Sequence, residues 1–142
     1  MLRDDNSVCK EIADILDLRY CLEYWNIDAV LFAKLHTKYI KPKYECVEYI
    51  SVAIEHEHNG SRAHEEINKL AIINAPLKVL ITYIERADVT RSLEEFSEMI
   101  RTADIFSDFS TTRKHLVIVG FCEHNSLQWG FYVFNNGVFT SI

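Results

Sequence analysis

The spacing of apolar residues along the chain changes several times, and each change marks the border of a predicted element. Val8, Ile12, Ile15 and Leu16 recur at the three- and four-residue intervals of a helix. Helices are predicted at three places: about 8–16, about 61–74 and about 92–105. Ser92, with Glu95 three residues later, has the pattern of a helix cap and predicts where the third helix begins.

Runs rich in β-branched and aromatic residues predict strands between these helices. They cover about residues 19–25, 28–35, 47–56, 77–83, 116–121, 130–134 and, as a short edge strand, 138–140. The run 77–83 is apolar almost throughout, which is typical of a buried central strand, and the helix before it makes it parallel to the preceding strand. The order predicts an α/β fold of one domain, 1–142, in which a mixed sheet carries helices on its faces.

Composition narrows the class of protein. The chain has 142 residues, of which 49% are hydrophobic, enough for one domain with a core. No apolar run is long enough to span a bilayer, and Met1–Asn6 lacks a signal-peptide core, so a cytoplasmic protein without membrane contact is expected. The four cysteines form no C-x-x-C pair, which favours reduced thiols over a zinc site. The net charge of −6 argues against binding to nucleic acid through general electrostatics alone, but not against a nuclease.

The run Ile50–Glu57 begins as a β-branched apolar strand and ends with two acids separated by one residue. Because strand side chains alternate between faces, Glu55 and Glu57 should project from the same side, where they repel each other. A hard divalent cation such as Mg²⁺ would offset that repulsion, since it prefers carboxylate oxygens. The alternative is a strand that simply runs out into solvent.

Asp28 interrupts another apolar strand. An aspartate is disfavoured within a strand and is costly to bury without a partner. It is either a turn residue, helped by Asn26, or a third carboxylate brought beside Glu55 and Glu57.

Four lysines fall within ten residues, from the end of the second predicted strand toward the third. They are Lys34, Lys38, Lys41 and Lys43. The group is either a solvated loop or a loop that contacts the phosphates of a nucleic acid.

The element order, with Asp28, Glu55 and Glu57 at these places, resembles the PD-(D/E)xK nuclease superfamily. That resemblance covers about Val8 to Tyr83 and implies a restriction-endonuclease-like αβββαβ core, with residues 92–142 as an extension. Asp28 and Glu55 match the metal-binding acids of the family, whereas Glu57 occupies the usual lysine position.

The missing lysine has two candidate replacements on the following helix. Lys69 resembles the lysine that some family members carry there, and Arg62 is a substitute nearer to Glu57. Glu11 resembles the glutamate that some members place on the first helix.

The resemblance implies hydrolysis of phosphodiester bonds in DNA or RNA, assisted by Mg²⁺ or Mn²⁺. Asp28 and Glu55 would hold the ion, Glu57 would support it, and Lys69 would stabilise charge on the transition state. A nuclease of this size that cuts both strands is expected to act as a homodimer or within a larger complex, and the C-terminal hairpin is the suggested contact.

Two other functions stay open. One is a catalytically inactive domain of the same fold that binds a protein or nucleic-acid partner, favoured by the net charge and by Glu57 at the lysine position. The other is a zinc-dependent hydrolase built on His56, His58 and His64.

Overall fold

In the part of the chain that the structure describes, seven strands pair in one mixed sheet, in the same order in space as along the chain. The structure is a computed structural model that describes residues 8–33, 49–104 and 113–142. The strands are β1 Leu18–Tyr24, β2 Ile27–Ala33, β3 Ile50–Glu57, β4 Leu77–Tyr83, β5 Lys114–Glu123, β6 Ser126–Asn135 and β7 Val138–Ser141. The helices are α1 Val8–Ile15, α2 Ala63–Ile72 and α3 Val89–Ala103, with 3₁₀ turns at Gly60–Arg62 and Arg86–Asp88.

Strand direction follows from the connections. The β1–β2, β2–β3, β5–β6 and β6–β7 pairs are antiparallel, whereas β3–β4 and β4–β5, which α2 and α3 separate along the chain, are parallel. Three hairpins close with two-residue loops in which both residues have positive φ. Their loop residues are Trp25 and Asn26, His124 and Asn125, and Asn136 and Gly137. Such turns have the twist that the flanking strands require.

Helices pack on both faces of the sheet. On one, the α2–α3 face, Ile67 and Phe96 pack against Val30, Leu80 and Val117. On the other, the α1 face, Cys9 and Ala13 of α1 join a smaller apolar cluster with Ala29, Leu31 and Ile54. The middle residues of β2 and β3 are therefore buried on both sides of the sheet.

The predicted fold class, a mixed α/β sheet with helices on its faces, is confirmed. The predicted parallel pairing of β3 with β4 is also confirmed. No helix within the described ranges is long and apolar enough to cross a membrane.

The predicted start of α3 was wrong. The helix begins at Val89, three residues before Ser92, and its cap is Asp88. Val89 is buried, so its packing into the core extends the helix toward the N-terminus beyond the residue that the capping pattern selected.

Candidate active site

The site forms where β2 and β3 stop pairing. The last pair of their ladder is Ala29 with Ile54, and beyond it side-chain carboxylates bind the backbone of the opposite strand. The Asp28 N–H donates to Oε2 of Glu55 over 3.4 Å, and the His56 N–H donates to Oδ2 of Asp28 over 2.8 Å. The two carboxylates that the sequence singled out are therefore held at one end of one strand pair.

Lys69 reaches this strand end from α2. Its Nζ lies 2.9 Å from Oε1 of Glu55 and 2.5 Å from Oε2 of Glu66, and it donates to the carbonyl oxygen of Asn26 over 2.9 Å. The neighbouring side chain of Leu70 packs into the core, so Lys69 stands at the edge of the helix that borders β2 and β3. We call Asp28, Glu55, Glu66 and Lys69 the acid–lysine cluster.

Glu66 is the member of the cluster that the sequence did not select as a site residue. Its side chain is 13% exposed, and it lies three residues before Lys69 on the same side of α2. The spacing of Glu66 and Lys69 was the available signal, but it fits a surface ion pair equally well. Only the packing of α2 on β3 brings the pair to Glu55.

Burial controls the protonation of Glu55, whose side chain is 1% exposed. Loss of hydration raises its pKa to about 7, because the hydrogen bond from Lys69 offsets only part of this effect and the charges of Glu66 and Asp28 raise it further. Burial lowers the pKa of Lys69, but its hydrogen bonds to Glu66 and Glu55 outweigh burial and leave that pKa above its usual value. Lys69 is therefore cationic at neutral pH, whereas Glu55 is poised between its two forms.

The fully ionised cluster carries excess negative charge. Three carboxylates against one ammonium leave a net charge of −2 in a partly buried place. A divalent cation matches that charge, and Mg²⁺ is commonly bound by one or two protein carboxylates together with water and substrate phosphate.

Glu57 has a local contact. Its Oε1 accepts the N–H of Asn59 over 2.8 Å, and Oδ1 of Asn59 accepts the N–H of Ser61 over 3.1 Å. Glu57 thereby helps to shape the turn that leads from β3 into the 3₁₀ segment before α2.

Arg62 and Glu11 have surroundings that differ from those of Lys69. Arg62 pairs with Glu65 at 3.2 Å, and both side chains are more than half exposed. Glu11 is exposed on α1, on the opposite face of the sheet from Lys69. The lysine group Lys34, Lys38, Lys41 and Lys43 lies outside the described residues.

The histidines stack on aromatic rings. The ring centroids of His56 and His58 are 4.3 Å apart, and His58 stacks on Tyr83 at 5.9 Å. Burial, together with the nearby His58, lowers the pKa of His56. Within the described ranges, no three side chains from His, Cys, Asp and Glu are grouped closely enough to hold a metal ion. The predicted zinc set is therefore not assembled, and any ion at Asp28 and Glu55 would need water or substrate oxygens as its remaining ligands.

A buried lysine lies at the other end of the sheet. Lys78, 1% exposed, is the second residue of β4, pairs with Ala53 and donates to the carbonyl oxygen of Ala71 over 3.1 Å. Burial, with a contribution from Arg113, lowers its pKa to about 8. The Lys78 ammonium thus binds a carbonyl in the last turn of α2 that has no partner within the helix. It is not part of the acid–lysine cluster.

No family model, curated protein or solved structure matches this chain.

Proposed function

We propose that this chain is a small divalent-metal-dependent nuclease that hydrolyses phosphodiester bonds in DNA or RNA. The observation that supports this most strongly is the contact of Lys69 with Glu55, beside Asp28. Two carboxylates and a lysine are the groups that metal-assisted phosphodiester hydrolysis needs, and here they come from three separate elements. The order α1, β1, β2, β3, α2, β4 also agrees with the αβββαβ core of the restriction-endonuclease-like fold.

Asp28 and Glu55 would hold Mg²⁺ or Mn²⁺. Each carboxylate is fixed by a backbone N–H of the opposite strand, so both are positioned before an ion arrives. When bound, the ion would acidify a water molecule and polarise the scissile phosphate. Glu57 lies two residues after Glu55 on β3. It would support the ion only indirectly, since one of its oxygens binds the Asn59 N–H.

Lys69 would stabilise the negative charge that develops on the phosphate. Its side chain is 38% exposed, in contrast to the buried Glu55, so part of it is accessible from solvent. Glu66 would act as a positioning residue, because its ion pair with Lys69 fixes the end of a long and flexible side chain.

A second candidate function is a non-catalytic domain of the same fold that binds a protein or nucleic-acid partner. One observation favours it: the Lys69 ammonium already contacts Glu55, Glu66 and the Asn26 carbonyl, so a pre-existing network occupies its donors. In that case the cluster would fasten α2 to the ends of β2 and β3.

A cleavage assay separates the two functions. Purified protein is incubated with single- and double-stranded DNA and with RNA, in Mg²⁺, in Mn²⁺ and in EDTA. The nuclease proposal requires cleavage that depends on the metal and falls at least about 100-fold in Asp28→Asn and in Lys69→Met.

Glu65→Gln is the matched control. Glu65 is on the same helix, next to Glu66, but its side chain is 51% exposed and pairs with Arg62. Its replacement should leave cleavage unchanged. No cleavage on any substrate, or cleavage that survives Asp28→Asn, would leave the binding domain as the better description.

A further inference from the structure

Half of the α1 face of the sheet is an open apolar surface. Helix α1 packs on β1 and β2, whereas most side chains of β4, β5 and β6 on this face are half-buried or exposed, with Val79 of β4 as a buried exception. The register aligns them in rows, with Ile81 beside Ile118 and Ile118 beside Phe131. This surface, which we call the β4–β6 surface, consists of Leu77, Ile81, Leu116, Ile118, Leu127, Trp129, Phe131 and Val133.

The β4–β6 surface has the composition of an interface core. Leu127 is 49% exposed, Trp129 38% and Phe131 42%. Apart from Lys114 at the start of β5, the described positions of these strands on this face carry no charge. Charge depletion with aromatic enrichment distinguishes the centre of a protein interface, whereas a nucleic-acid surface needs cations.

Helix α1 presents a second apolar surface on the same side of the sheet. Cys9 and Ala13 face the sheet and are buried. The remaining apolar residues of the helix and the residue that follows it point into solvent, with exposed fractions of 41% for Val8, 37% for Ile12, 82% for Ile15 and 53% for Leu16. A helix eight residues long gains little from such residues unless something packs on them.

The exposed apolar area on one copy is close to the area that each partner buries in a stable dimer. If a large apolar side chain offers roughly 180 Å², the seven exposed fractions given above amount to roughly 600 Å². The half-buried residues of β4 and β5 add to this. A standard interface buries about 800 Å² on each partner, so the two surfaces together are large enough for a specific contact.

We propose that two copies of this chain associate about a two-fold axis, with α1 of each copy packed on the β4–β6 surface of the other. Among the residues that the structure describes, each copy has an apolar helix side without a sheet beneath it and an apolar sheet half without a helix above it. A two-fold axis satisfies both at once, because the contact of α1 with the partner's strands is repeated in reverse. The proposal does not depend on the nuclease function.

The test is sedimentation velocity or light scattering of the full chain between about 1 and 100 μM, with Phe131→Glu, Ile12→Glu and Ile72→Glu as variants. Each residue contributes twice to a two-fold contact, so Phe131→Glu and Ile12→Glu should each raise the dimer dissociation constant at least about 100-fold. Ile72 is 76% exposed on α2, on the other face of the sheet, and its variant controls for adding a charge at an exposed apolar residue.

The outcomes are distinct. A wild-type chain that stays monomeric up to 100 μM overturns the proposal, as does a dimer that Phe131→Glu leaves unchanged or that Ile72→Glu weakens equally. A dimer sensitive to Phe131→Glu but not to Ile12→Glu overturns the helix-on-sheet arrangement. Circular dichroism of each variant, with native far-UV spectra as the requirement, separates a lost interface from a lost fold, and Leu127→Lys replaces any variant that fails to fold.

Discussion

The burial of Glu55 predicts how stability depends on pH. Its pKa is about 7 in the folded chain against an ordinary value of 4.5. Between these values the folded protein binds more protons than the unfolded chain, so the free energy of unfolding falls as pH rises from 4.5 to 7 and is then constant. At 1.36 kcal/mol per pKa unit, this group lowers stability by about 3 kcal/mol across that interval.

Glu55→Gln removes the titration while keeping the shape of the side chain. As pH rises from 4.5 to 8, the free energy of unfolding of the variant should therefore increase by about 3 kcal/mol relative to that of the wild type. Because Glu55 is buried, solvent screening does not reduce the effect as it would at an exposed site. Lys69 keeps Glu66 and the Asn26 carbonyl as partners in the variant, so its charge stays compensated.

Urea unfolding, followed by far-UV circular dichroism at pH 4.5, 6 and 8, measures this difference. EDTA is present and the protein concentration is constant, because a bound metal or a dimer would stabilise the folded form by mass action. Glu65→Gln, at an exposed position on α2, is the control variant. The burial argument would be refuted if the free energy of unfolding of Glu55→Gln, relative to that of the wild type, stayed constant or decreased as pH rises.

Two further predictions concern the sheet. The pKa of Lys78 is lowered from its ordinary value of 10.5 to about 8, so the free energy of unfolding of the wild type should rise by about 3 kcal/mol between pH 8 and 10.5. Lys78→Met lacks this titration, so it should lose about 3 kcal/mol relative to the wild type over that interval. Urea unfolding at pH 7.5 and 10.5 checks the sign. Gly60→Ala should destabilise the fold by about 2 kcal/mol or more in thermal unfolding, because a Cβ at Gly60 meets the backbone carbonyl of Tyr83. Gly120→Ala should cost less, since a Cβ there meets the ring of Tyr83, which can turn. Equal losses in the two variants would contradict this.

Periodicity was sufficient to predict the elements because each has one strongly apolar side. The run Leu77–Tyr83 was predicted as a buried strand, and β4 has those same bounds. Parallel pairing of β3 and β4 followed from the intervening helix. Element ends were less predictable where tertiary packing overrides local capping, as at Val89.

The candidate site was only partly accessible from sequence. Asp28 and Glu55 were selected because acids are unusual in apolar strands, and the structure brings them together at a strand end. The choice between Lys69 and Arg62 depended on how α2 is rotated on the sheet, which residue spacing alone does not determine. Glu66 was missed for a related reason, since an acid three residues from a lysine has the pattern of an ordinary surface pair.

The energetics of the acid–lysine cluster help to decide whether it is a catalytic site or a structural contact. A buried ion pair gives little net stability, because loss of hydration offsets much of the attraction between its charges. Here one acid is buried far enough to raise its pKa to about 7, and a second, Glu66, adds repulsion. An apolar residue at position 55 would join α2 to β3 at least as well as this arrangement does. If Glu55→Gln is more stable at pH 8 yet loses metal-dependent cleavage, the carboxylate serves chemistry at the expense of folding. If the variant loses stability and no cleavage exists to be lost, the cluster is a structural contact between α2 and the strand ends.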